Sequence, residues 1–311
     1  MVIPTLGRQY KLERALERLA ALTEEDFAVI VVSDALDPEP MVTAGRTVGP
    51  AGWRHIQASR PGASAARNAG WRATGAPVIL FLDDDILADG ELVAEHLAGH
   101  EAEPQERTCV LGDVRWARGL KLTPFMRWLD ARGLQFDYLE LTDGDDVGWG
   151  RMYTANVSLK RALLERVGGF DEAGFPYLYE DLDLARRAVD SGGLVVRYRR
   201  AASAEHLGAT TLADWLARVE LLAAAESAFV ARYPDVTPHF HAFFSRAAAA
   251  PPARGRGQRL ASLVPRATPV VGARVWASAE AAYAQALAPR LLAAWERGAA
   301  GAGSGVGGSE E

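Results

Sequence analysis

Cysteine is almost absent. Cys109 stands alone, which excludes an intramolecular disulfide framework and any cysteine-rich zinc site. Placed just before Val110 and Leu111, it reads as a buried strand thiol and not as a nucleophile. That scarcity fits a reducing compartment, so a cytoplasmic location is the expectation. Lysine is nearly as scarce, with only Lys11, Lys121 and Lys160 against abundant alanine and arginine. An excess of positive charge is missing as well: a net charge of −6 gives no footing for bulk nucleic-acid binding. No apolar run reaches the roughly 18 residues that a membrane span needs, which leaves peripheral contact at the inner face of a membrane open. No basic-then-apolar leader precedes Met1-Val2-Ile3, which opens almost inside a strand. Either that first strand is short or the chain's start is placed late. What is present is ordinary: 49% hydrophobic and 24% charged residues over 311 positions, enough for one large core or two modest ones.

The most informative feature is a run of three acids, Asp83-Asp84-Asp85, directly after Val78-Ile79-Leu80-Phe81-Leu82. Five apolar residues bounded by Pro77 read as a buried strand. Acids at its C-terminal end project into the crevice where open α/β sheets bind ligands. Adjacent carboxylates repel one another, and burying them unpaired is costly. A divalent cation relieves that repulsion; Mg²⁺ or Mn²⁺ suits oxygen ligands and bridges to phosphate. The competing reading is an acidic turn that caps a helix near Glu91.

Around this run the pattern is strand at 2–4, helix to about 22, strand at 27–32, helix at 64–74 and strand at 78–82. That alternation predicts an α/β fold with a doubly wound parallel sheet. Residues 35–52 are turn-rich, with Pro38, Pro40, Gly45, Gly49, Pro50 and Gly52. Further on, helices are expected at 91–100, 123–131, 161–167, 180–191 and 212–233, and strands at 109–116, 153–159 and 194–198. The polar 143–150 loop, with Asp143, Asp145 and Asp146, reads as solvated or as a lid. Trp116 and Trp128 read as packing residues. Beyond Pro234 the character changes: Pro251-Pro252 and Arg254-Gly255-Arg256-Gly257 mark a linker. Residues 270–297 form one or two helices broken by Pro289, and 298–311 read as a disordered tail. His239 and His241 share strand spacing and receive no role.

Five segments, in order and plausibly spaced over about residues 2–207, resemble the family 2 glycosyltransferases. They are Val2-Ile3-Pro4-Thr5; the strand ending at Asp34; Ala66-Arg67-Asn68-Ala69-Gly70; Phe81-Leu82-Asp83-Asp84-Asp85; and Gly168-Gly169-Phe170-Asp171-Glu172 followed by Glu180-Asp181-Leu182-Asp183-Leu184. The resemblance implies a GT-A fold: a mostly parallel, Rossmann-like sheet in a catalytic domain over 1–233, with a nucleotide-sugar half to about 115 and an acceptor half from 116. Residues 234–297 would then be a helical extension. That extension leaves three roles open: clamping the acceptor, pairing two copies as a homodimer, or resting on anionic lipid through Arg254, Arg256, Arg259 and Arg266.

The implied chemistry is transfer of a sugar, with inversion, from a nucleoside-diphosphate sugar to an acceptor hydroxyl, with a UDP-sugar as the default donor. Mn²⁺ or Mg²⁺ would be held on the diphosphate by Asp83 and Asp85, with His206 as a third ligand or else a lone surface histidine. Asp181 is the implied base, with Glu180 as the fallback; the competing reading makes Glu180, Asp181 and Asp183 helix-capping acids, Asp183 pairing with Arg186 or Arg187. Nucleotide contacts would come from Pro4, Thr5, Leu6, Asp34, Arg67, Asp83 and Asp84. Trp149 could stack on an acceptor sugar. The chain departs from the family pattern where Leu6 replaces a frequent aromatic, Gly7 a usual asparagine and Ser33 the first of two acids, so the nucleotide stays open.

Three other readings compete. A haloacid-dehalogenase-like phosphatase also places Asp-x-Asp after an apolar strand, as a nucleophile and an acid/base, but on its first strand, whereas Asp83 falls on about the third. A sugar-phosphate nucleotidyltransferase opens with a glycine-rich phosphate loop, which Pro4-Thr5-Leu6-Gly7-Arg8 is not. A catalytically degenerate nucleotide-sugar-binding protein would keep the fold without turnover.

Overall fold

The computed structural model describes residues 1–22, 27–38, 53–252 and 271–304. Pro40, Gly45, Gly49, Pro50 and Gly52, the linker arginines from Arg254 to Arg266 and the tail past 304 lie outside them. The chain divides into two compact units. One comprises Met1–Leu120 with Phe136–Gly208, the other Lys121–Gln135 with Ala209–Glu311.

The first unit is built on eight strands: β1 (Val2–Thr5), β2 (Val29–Ser33), β3 (Trp53–Gln57), β4 (Val78–Leu82), β5 (Ile86–Ala88), β6 (Thr108–Trp116), β7 (Asn156–Lys160) and β8 (Val195–His206). Their order in the sheet is β3-β2-β1-β4-β7-β6-β8-β5. Pairing is parallel through β3, β2, β1 and β4 and between β6 and β8; β7 and β5 run against their neighbours. The expected mixed α/β sheet, mostly parallel, is therefore present. Every residue of β2 is buried. The apolar run Val29–Val32 suits a strand covered on both faces, each of its Val and Ile side chains contributing about 1.5–3 kcal/mol by leaving water.

Helix α1 (Gln9–Leu19) buries Leu12, Ala15, Leu16 and Leu19, a stripe at helical spacing. Helix α2 (Ala63–Arg72) lies so close to the sheet that a Cβ on Gly70 would stand 2.3 Å from a methyl of Val2, so only glycine fits there. Helices α3 (Leu92–Ala102), α5 (Arg161–Val167) and α6 (Glu180–Asp190) complete the unit, while α4 (Pro124–Ala131) falls in the second. The strand register levels the C-terminal ends of β1 and β2, with Thr5 opposite Ser33. Asp34 N–H then donates to the Thr5 carbonyl at 2.9 Å. Sheet geometry thus gathers Thr5, Asp34 and Asp83 at one edge.

Three strand expectations change. β3 and β5 carry no period that a sequence could announce: Trp53-Arg54-His55-Ile56-Gln57 is half-polar, and β5 has three residues. Each exists because a neighbouring strand, β2 or β8, offers free backbone groups. β8 runs to His206 instead of stopping at residue 198, because β6 and β5 pair with its second half. With β3 present, Asp83 follows the fourth strand of the chain, still further from the first-strand position of a dehalogenase-like phosphatase.

The second unit is helical: α4 (Pro124–Ala131), α7 (Leu212–Arg232), α8 (His239–Ala249) and α9 (Val271–Ser304). Helix α7 packs in this unit, where Val219, Leu222, Ala223 and Phe229 find cover. His239 and His241 lie on a helix and not a strand, because Phe240, Phe243 and Phe244 recur at helical spacing. Buried Glu226 of α7 accepts the first-turn amides of Phe240 and His241, both at 2.8 Å. Pro289 does not break α9, and residues 298–304 continue it instead of forming a disordered tail. A proline inside a helix costs about 3 kcal/mol; buried Leu287, Ala288, Leu291 and Ala294 around it offset that. Trp128 is core, with Phe125 and Tyr283 against it. Among the described residues no helix is long and apolar enough to cross a membrane.

Candidate active site

Each of the three acids after β4 meets its own set of partners, Arg8 being shared by two of them. Asp83, the most exposed of them, receives Arg67 Nη2 at 2.9 Å. Asp84 is fully buried; Thr5 Oγ1 donates to its Oδ2 at 2.7 Å, and Arg8 Nη2 lies 2.8 Å from Oδ1. Burial pushes its carboxyl up to about 6, against the pull of Arg8 and Thr5. Asp85 Oδ2 accepts Arg8 Nη1 at 3.1 Å and Lys11 Nζ at 3.0 Å. Burial raises Asp85 too, but His206, Arg8 and Lys11 together hold it below the usual carboxylate range.

A second set of acids opens α6. Arg67, itself buried, places Nη1 on Glu180 at 2.6 Å and so ties this helix to Asp83. Its guanidinium also lies over the Phe170 ring, 5.8 Å from the centroid. Asp183 is buried against Arg187 Nε at 2.8 Å, the arginine four residues on. Asp181 instead receives the Leu182 amide at 2.8 Å. It keeps part of its surface exposed. Burial and then the Glu180 charge still push it up to about 7, against Arg67 and the Leu182 and Thr154 amides.

The segment that delivers α6 is held under strain. Leu178 and Tyr179 have φ of 59° and 64°, each costing on the order of 1 kcal/mol in a residue with a side chain. Three contacts hold it: Ser64 N–H to the Pro176 carbonyl at 3.2 Å, Ser64 Oγ to the Phe175 carbonyl at 2.5 Å, and Tyr177 Oη to Asp34 Oδ2 at 2.9 Å. Asn68 binds the glycine turn upstream: its Nδ2 donates to the Phe170 carbonyl and its Oδ1 accepts the Phe170 amide, both at 2.9 Å. Asn68 and Gly70 of the α2 motif thus serve position, while Arg67 joins the two sets of acids.

The nucleotide-contact candidates separate. Pro4 and Thr5 end β1, Thr5 spending its hydroxyl on Asp84, while Leu6 stands exposed beyond them. Asp34 is buried and committed, accepting Gly62 N–H at 2.7 Å and Tyr177 Oη at 2.9 Å on Oδ2 and Leu36 N–H at 2.8 Å on Oδ1. Asp84 likewise faces its own protein, so as placed it positions Thr5 and Arg8 and offers no face to a nucleotide. Arg67 has its terminal nitrogens on carboxylates. Trp149 is half-buried on a single 3₁₀ turn, with the Arg186 guanidinium 5.8 Å from the centre of its ring. The 143–150 loop is pinned to β8 by Gly144 N–H to Tyr198 and Val147 N–H to Val196, both at 2.9 Å.

Sequence reasoning missed Arg8 and Lys11. A signal was available: both sit at the start of α1, whose first turn carries no acid. A cation there opposes the helix dipole and calls for an anionic partner nearby.

As placed, these side chains do not form a seat for the divalent ion that the resemblance implies. An ion on Asp85 would share that carboxylate with two cations about 3 Å away. His206 Nε2 lies 3.6 Å from Asp85 Oδ1. Its Nδ1, however, accepts the Gly208 amide at 3.0 Å, so a neutral ring carries its proton on Nε2 and has no lone pair there for a metal. Among the described residues no three His, Cys, Asp or Glu side chains converge as metal ligands.

Known proteins bear on this geometry. The model of glycosyl transferase family 2 matches residues 1–158, just over half of the 311-residue chain. Validoxylamine A glucosyltransferase of Streptomyces hygroscopicus subsp. limoneus is 28% identical over 221 residues, 60% of this chain and 47% of that protein. The glycosyltransferase YfnE of Bacillus subtilis, itself uncharacterised, is 26% identical over 248 residues, 64% of this chain and 62% of its own. The chain thus spans about half the length of the glucosyltransferase it matches. A crystal structure of S. aureus TarS residues 1–349 with UDP superposes with a TM-score of 0.52 at 13% identity, over 91% of this chain and 88% of that one, a likeness of fold. The architecture is GT-A, and with its N-terminal half matched by the family model, this chain belongs to glycosyl transferase family 2.

Proposed function

We propose that this glycosyltransferase moves a sugar from a nucleoside-diphosphate sugar, a UDP-sugar by default, onto an acceptor hydroxyl with inversion, and that Asp181 is its base. The observation carrying the reading is Asp181 itself: an acid in the first turn of α6, joined to the Asp83 edge through Glu180 and Arg67, with its carboxyl raised to about 7. A base with a pKa near working pH is ionised when needed and still basic enough to act. The acceptor oxygen bonds to the anomeric carbon as the sugar–phosphate bond breaks. The electron pair leaves with the nucleoside diphosphate, and the acceptor proton passes to Asp181. The donor lies on residues up to about 115 and the acceptor beyond, near Trp149.

A relative named as a glucosyltransferase and a like-folded neighbour crystallised with UDP support this reading. The Mn²⁺ or Mg²⁺ implied by the resemblance receives no step, because the residues present do not fit it. The phosphatase alternative gives way to the family match. A degenerate binding protein would bind nucleotide without turnover. Asp181→Asn tests the assignment: transfer falls about 10³-fold while UDP binding stays within about twofold. Full transfer by that variant would move the base role to Glu180.

A further inference from the structure

Three adjacent carboxylates argued for a metal because nothing else in the sequence neutralised them. The fold supplies three side-chain cations instead. Arg67 meets Asp83 at 2.9 Å, Arg8 meets Asp84 at 2.8 Å and Asp85 at 3.1 Å, and Lys11 meets Asp85 at 3.0 Å. Arg67 is buried, but the Arg8 and Lys11 side chains remain 48% and 33% exposed, so both keep surface open to a ligand beside Asp85. The Lys11 ammonium spends one of its three donors on Asp85 Oδ2.

We propose that Lys11, oriented by Asp85 and seconded by Arg8, supplies the positive charge that holds the donor's diphosphate, so that binding and transfer require no divalent ion. The proposal rests on the nucleoside-diphosphate-sugar reading above. As the anomeric carbon–oxygen bond breaks, the leaving diphosphate gains negative charge, and a fixed ammonium beside it stabilises that charge without reorganisation. Arg8 has its terminal nitrogens on Asp84 and Asp85 and so adds charge at a distance, while the Lys11 ammonium, a compact point charge with donors beyond the one on Asp85, takes the contact. Asp85, held ionised by its neighbours, becomes the positioning group of a lysine and not a metal ligand.

The experiment is calorimetric titration with UDP in EDTA and in Mn²⁺, on the unaltered chain, Lys11→Met and Lys11→Arg, with turnover of UDP-sugars measured in parallel. The unaltered chain should bind UDP with affinities within about twofold in EDTA and Mn²⁺. In EDTA, Lys11→Met should bind about tenfold or more weakly and Lys11→Arg should keep most of the affinity. Binding that needs Mn²⁺, or unchanged binding by Lys11→Met, overturns the role of Lys11 and leaves the transferase reading standing. No binding of UDP, GDP, dTDP or CDP under either condition overturns that reading, and this inference with it.

Discussion

Two sets of three acids lie in the same unit, and they are handled differently. After β4, every carboxylate meets a side-chain cation: Arg67, Arg8, and Arg8 with Lys11. At the start of α6, Glu180 and Asp183 have arginines, while Asp181 receives a backbone amide and is raised toward neutrality. Burial alone does not sort them, since Asp84 is buried with its carboxyl raised and Asp85 is nearly as buried with its carboxyl lowered. The identity and number of partners decide. Asp85, with two cations, is held charged; Asp84, which shares one, and Asp181, with an amide beside the Glu180 charge, are both raised, and of these two only Asp181 keeps surface exposed.

That contrast breaks most directly at Asp181. Beyond the loss on Asp181→Asn, transfer should follow its ionisation. A base is active when deprotonated, so the rate climbs as pH rises through about 7 and falls about tenfold per unit below it. A flat rate between pH 5 and pH 8 would exclude Asp181 as the titrating base.

Arg67 is where the two sets meet. Arg67→Met leaves Asp83 and buried Glu180 facing each other with no cation between them. Breaking a buried pair by removing one partner costs about 3–5 kcal/mol, to be read as a lower urea midpoint. An unchanged midpoint would mean that the network carries no stability.

A third buried cluster sharpens the comparison because its hydrogen bonds join neutral partners. His96 bonds Ser158 at 2.8 Å and Asn156 at 2.9 Å, and His100 bonds Ser158 at 2.9 Å. Burial pushes both imidazoles down to about 4. Their ordinary value is about 6.5, so the unfolded chain binds protons first as pH falls. Stability is fully present above that value and is lost toward pH 4. Asp84 and Asp181, whose carboxyls are raised, gain stability over the same range, so the check is the imidazole titration itself. By NMR both rings should still be neutral at pH 5 in the folded chain, and rings charged at pH 5 would deny the neutral burial.

Much of this was legible beforehand, and for stated reasons. β1, β2 and β4 are unbroken apolar runs, and α1 and α7 carry stripes, so local period suffices. α5 lies where expected because Gly168 ends it in a left-handed turn. The misses share one cause. β3, β5 and the far half of β8 owe their pairing to strands distant in sequence, and α9 passes through Pro289 because its neighbours cover it.

By itself, then, the sequence determined the order of the main strands and helices, the family, and the acids placed at the ends of β4 and the start of α6. Those are written in local period, in glycine positions and in short motifs. Only the tertiary structure decided which acid meets which cation. Arg67 reaches Glu180 across 113 residues, Arg8 reaches Asp85 across 77 and Lys11 reaches Asp85 across 74. No local period encodes such distances. They are set by how closely α2 can press on the sheet and by where β1 and β4 end, and with them is set whether a carboxyl is lowered, as in Asp85, or raised, as in Asp84 and Asp181.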